Sequence, residues 1–137
     1  MEAARLAPTL GIVACLAVLA GLAAPFLLVS DPGAVATYYG IGSLNPLFAG
    51  LFALVGVVVF AAGRQGRADP ALAAGAGLVL GLFGAAVAVI WAASVPLALV
   101  FQLGTDTLIE YHRIALAAVA LIVPAAAGWY ARALGVV

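Results

Sequence analysis

APTLGIVACLAVLAGLAAPFLLV, residues 7–29, runs through 23 positions without a charged side chain. At 1.5 Å per residue a helix of this length covers roughly 34 Å, enough to cross about 30 Å of hydrocarbon. The run is too long for the apolar region of a secretory signal, and Ala23-Ala24-Pro25 is a poor cleavage site. It therefore reads as a retained membrane helix. Pro25, near its far end, is expected to bend the last turn.

Outward from this run, the chain repeats its chemistry. Apolar residues make up 68% of the 137 and charged residues 7%, against about 45–50% and about 25% in soluble domains. A soluble chain of this size buries only about two thirds of its surface, so it has no place for so much apolar area. The solvent for most of the chain is lipid, and the length fits a single transmembrane domain over 1–137. Net charge is zero, which gives no electrostatic basis for binding nucleic acid. The lone Cys15 lies inside the first run and reads as a small buried hydrophobe.

Breakers divide the remainder. Ser30-Asp31-Pro32-Gly33 ends the first helix, and residues 30–45 read as a polar-leaning loop. Its Tyr38 and Tyr39 are expected in the aromatic belt at the membrane interface. Asn45-Pro46 and Asp69-Pro70 each combine a capping side chain with proline at the first helical position. They open a second helix over 46–63 and a third over 70–100. Gly63-Arg64-Gln65-Gly66-Arg67-Ala68 is the tight turn between them. The third run passes Trp91, an exit marker for the interface, and is expected to kink near Pro96. Thr107 and Glu110 have capping-box spacing, so a fourth helix occupies 108–131 and ends at Trp129-Tyr130-Ala131-Arg132, an aromatic anchor with a cation. The fold class is thus all-α, an integral membrane four-helix bundle.

All five basic residues are Arg. With the Ala, Gly and Val bias of its runs, the chain resembles the small uncharacterised four-helix integral membrane proteins of halophilic archaea. The resemblance covers the whole chain, rests on composition and layout, and implies no activity. Four spans place Arg5, Arg64, Arg67 and Arg132 on one side and Arg113 on the other. The positive-inside rule then predicts both termini in the cytoplasm and the cell membrane as the location. Small residues let helices approach in lipid, and Gly77, Gly81 and Gly84 supply such a surface in the third run. Pro25-Phe-Leu-Leu-Val and Pro96-Leu-Ala-Leu-Val echo one another, each ahead of an outward loop.

Chemistry gathers only in Thr105–Arg113, which holds four of the eleven ionisable side chains. Asp106, Glu110, His112 and Arg113, with Tyr38 and Tyr39, form the candidate outer-surface interaction site. Glu110 and Arg113 are three apart and can pair on a helix; Glu110 and His112 are two apart and point to different faces. One His and scattered carboxylates lack the number and spacing of a metal centre, and no cofactor is expected. No Gly-rich phosphate loop, nucleophile elbow or H-E-x-x-H occurs. The fluoride-channel family is excluded, because the Thr/Phe/Ser-rich break of its third helix is missing from Gly75–Trp91.

The favoured function is a non-enzymatic structural or accessory membrane subunit, acting by helix packing and outward loops. Its expected partners are the lipid bilayer and a membrane protein or further copies of itself. Two alternatives are an oligomeric channel or small-solute transport component, and a membrane redox or enzyme subunit using His112. Of the polar cluster, His112 alone has no structural reason in the sequence pattern.

Overall fold

A computed structural model describes residues 2–28, 32–40, 44–95 and 107–137. Among the described residues the chain forms five helices and no strand: α1 (Glu2–Leu28), α2 (Pro32–Gly40), α3 (Leu47–Arg64), α4 (Pro70–Ser94) and α5 (Thr107–Ala133). All but α2 are long and apolar enough to cross a membrane. α1 packs against α3 and α5, and α4 packs against the same two, so the long helices form a ring with α1 and α4 on one diagonal.

Neighbours run antiparallel. Gly11, Cys15 and Leu22 of α1 meet Phe60, Gly56 and Gly50 of α3 in reversed order. Gly63, Phe60 and Phe52 of α3 likewise meet Ala73, Gly77 and Gly84 of α4. Gly63 also faces Tyr130 of α5, so the start of α1, the α3–α4 turn and the end of α5 share one end of the bundle. That end carries Arg5, Arg64, Arg67 and Arg132; α2 lies at the other.

The caps follow the residues that signal them. Asn45 Oδ1 accepts from Leu47 N–H (3.0 Å), and Asp69 Oδ1 from Ala71 N–H (3.2 Å) with Pro70 beginning α4. α3 closes in a Schellman turn: Gly66 takes φ 74°, Gly66 N–H bonds Gly63 O and Arg67 N–H bonds Ala62 O. α5 ends the same way around Gly135, also at φ 74°.

Two expectations about the connections change. Residues 32–40, read as loop, form α2. The third helix ends earlier than expected: α4 stops at Ser94 and Val95 is extended (φ −77°, ψ 120°), and the expected kink near Pro96 lies outside the described residues. The ring of a proline disfavours helical geometry in the residue before it, and Val95 precedes Pro96. Residues 96–106 lie outside the described residues.

Glycines set how closely the helices approach. The buried Phe60 ring sits between Gly11 and Gly77, where a Cβ would come within 2.7 Å and 2.8 Å of it. A Cβ on Gly81 would lie 2.8 Å from the backbone nitrogen of Pro124, so α4 and α5 touch main chain to main chain. At the centre, between Phe52, Gly81, Gly84 and Val123, the free space is about 10 Å³, room for at most about one water. Leu16, Leu51, Leu54, Val58, Leu72, Phe83, Ile114 and Leu121 are exposed around the whole ring, an outer surface suited to lipid. Two hydroxyls within the spans are satisfied locally: Thr9 Oγ1 donates to Arg5 O (2.7 Å) and Ser94 Oγ to Ile90 O (2.7 Å).

Candidate functional site

Two helix carbonyls without donors create the demand that the site answers. Proline has no N–H, so Pro25 leaves the Gly21 carbonyl of α1 without its helical donor. Ala92, in the last turn of α4, also lacks a helical donor, because the helix stops at Ser94. In hydrocarbon such a carbonyl must find another donor. α5 lies between α1 and α4 and supplies both from consecutive residues, which point about 100° apart on a helix. His112 Nε2 bonds Gly21 O, and Arg113 Nη1 donates to Ala92 O at 2.7 Å.

The bond to Gly21 fixes the histidine. A carbonyl only accepts, so Nε2 carries the hydrogen and Nδ1 of the neutral ring is an acceptor. The Tyr38 hydroxyl, 3.0 Å away, donates to it. Burial pushes the phenols of Tyr38 and Tyr39 well above the usual tyrosine range, with the Arg113 charge opposing the rise at Tyr38. Both hydroxyls therefore remain neutral donors. That of Tyr39 donates to Leu22 O, one residue beyond Gly21 in the turn that Pro25 opens.

α2 is held by these side chains. Tyr38, Tyr39 and Trp91 are fully buried, and His112 is 7% exposed. The Trp91 ring stands edge-on to Tyr38 with centroids 5.0 Å apart, and Tyr39 stacks on Tyr38 at 5.5 Å. Trp91 Nε1–H donates to Tyr38 O at 3.1 Å, one of the last carbonyls of α2, which have no partner within a short helix. Every hydrogen bond in the cluster thus joins two elements: α2 to α4 and α5, α5 to α1 and α4, and α2 to α1.

The sequence-predicted residues divide. Tyr38, Tyr39, His112 and Arg113 come together. Asp106 and the side chains of Thr107 and Glu110 lie outside the described residues, and with them the expected capping box and Glu110–Arg113 pair. The tyrosines are buried in the end of the bundle instead of standing in an interfacial belt. Trp91 is also buried, and its role as a capping donor was missed. Trp129 is 40% exposed, as an anchor would be, whereas its neighbour Tyr130 is 1% exposed and packs on Gly63. Arg113 is half-buried, and among the described residues its buried Nε has no hydrogen-bond partner. The signal that points to Gly21 is in the sequence, four residues before Pro25. Among the described residues, no three His, Cys, Asp or Glu side chains gather as a metal site would need.

The model of a family of unknown function (DUF7548) matches residues 1–135, and the chain belongs to that family. No curated protein and no solved structure matches it.

Proposed function

We propose that this member of a family of unknown function is a structural or accessory subunit of the cell membrane that binds a membrane-protein partner through the α2 end. One observation carries the reading. Both ring nitrogens of His112, the residue on which an enzymatic role would rest, are committed to holding helices, one to Tyr38 and one to Gly21 O. The cluster of Tyr38, Tyr39, His112 and Arg113 positions α2. The exposed side of α2, with Ala36 and Thr37, and the exposed Tyr111 are then the surface a partner meets.

Gly77, Gly81 and Gly84 act in packing within the chain, and the single transmembrane domain is the ring of α1, α3, α4 and α5. Arg5, Arg64, Arg67 and Arg132 at one end support placing both termini in the cytoplasm and α2 outside. The lysine-free composition supports a place among the membrane proteins of halophilic archaea.

Purification from native membranes in a gentle detergent tests the reading. The expected result is a stoichiometric protein partner that is lost from Ala36→Arg, a surface change that leaves the buried cluster intact. A monomer that brings no protein with it would refute the proposal.

A further inference from the structure

A groove of about 400 Å³ on the lipid-facing side of α3 is lined by Val57, Val58, Ala61, Ala62, Gln65 and Arg67. Its walls are hydrocarbon along α3, and the two alanines make the depression. Only the Arg-rich end is polar. There the Schellman turn folds Arg67 back over the last turn of α3, its N–H bonded to Ala62 O at 2.9 Å. Arg67 is exposed, and no side-chain hydrogen bond or ion pair among the described residues engages it. Its neighbour Arg64 is committed, with Nε donating to Thr9 Oγ1 at 2.9 Å. The same end holds Arg5 and Arg132 against Glu2 and Asp69, and Asp69 is occupied in capping α4.

We infer that this groove is a binding site for a phospholipid with an anionic headgroup. The headgroup lies against the Arg67 guanidinium and the Gln65 amide, and one acyl chain lies along Val57, Val58, Ala61 and Ala62. A cation whose main chain is anchored at the top of a hydrocarbon slot matches a lipid's own order of charge and tail. A zwitterionic lipid brings a second cation to Arg67 and loses most of the attraction. The inference rests on the reading of the four long helices as membrane spans.

Native mass spectrometry of the full chain in neutral detergent, with equal amounts of phosphatidylglycerol and phosphatidylcholine, tests it. The expected retention favours phosphatidylglycerol about five-fold, the equivalent of roughly 1 kcal/mol for one cation at an anionic membrane surface. Arg67→Gln brings the ratio close to one. Ala62→Phe fills the slot and lowers retention of both lipids. Arg132→Gln, an exposed cation at the same end, leaves the ratio unchanged. Excess inorganic phosphate does not displace the lipid. Equal retention by the parent chain, a ratio that survives Arg67→Gln, or an equal fall in Arg132→Gln would overturn the site. So would displacement by phosphate, or a chain dimer that excludes the lipid. A chain that keeps this preference but brings down no protein partner would refute the accessory reading alone.

Discussion

Restoring an N–H at position 25 would return to the Gly21 carbonyl its own helical donor and relieve His112 of one task. Pro25→Ala, His112→Phe and the double variant form a thermodynamic cycle that measures this. Phenylalanine keeps a ring in the aromatic cluster and removes both nitrogens. In the parent, His112→Phe breaks the bonds to Gly21 O and to the Tyr38 hydroxyl. Hydrogen bonds between membrane helices contribute about 0.6 kcal/mol on average and up to about 1.7. A buried group left unpaired adds about 1–3 kcal/mol. The expected loss is therefore roughly 2–4 kcal/mol. With Pro25→Ala the Tyr38 share of that loss remains and the Gly21 share disappears, because the new N–H takes the carbonyl. The coupling should be about 1–2 kcal/mol, and the intrinsic effect of removing a proline cancels around the cycle. Unfolding in mixed micelles by sodium dodecyl sulfate, followed by circular dichroism, supplies the four free energies. Single effects that add to within about 0.3 kcal/mol would refute the claim that His112 answers Pro25.

Within α4, Gly81→Ala should be less stable than Gly75→Ala by about 1–3 kcal/mol in the same assay, because a Cβ at 81 meets the Pro124 backbone at 2.8 Å and one at 75 meets nothing within 4 Å. Equal stabilities would refute the close α4–α5 contact. The chain should also lose stability as pH rises past about 10, the usual tyrosine value. The folded chain holds the Tyr38 and Tyr39 protons beyond that point while the unfolded chain releases them, so the unfolded state binds fewer protons and is favoured by rising pH; below about 10 the effect is absent. Tyr38→Phe combined with Tyr39→Phe should flatten this alkaline limb, and an unchanged slope would refute the burial argument.

The spans and their caps were legible because each depends on near neighbours. Asn45, Asp69 and Gly66 act on the residue or turn beside them, and a run of uncharged residues is its own signal for lipid. α2 was not legible. Pro32, Gly33 and Gly40 are breakers in isolation, and the nine-residue helix that contains them depends on Trp91 and His112, far away in the chain. The same applies to His112. Pro25 announces an unpaired carbonyl, but which donor reaches it depends on α5 standing beside α1, 91 positions along the chain. The end of α4 lay between the two cases: the proline that stops it was visible, yet a kink and a stop share that signal.

The two freed carbonyls also constrain the order of biogenesis. Gly21 and Ala92 belong to helices made before α5, and both of their donors sit in α5. Until α5 enters, α1 and α4 each carry an unpaired carbonyl in the membrane, at several kcal/mol apiece. A chain without α5 carries that defect, and the arrival of two adjacent residues removes it from both helices together. The pairing of both earlier helices thus waits on His112 and Arg113, two neighbours in α5.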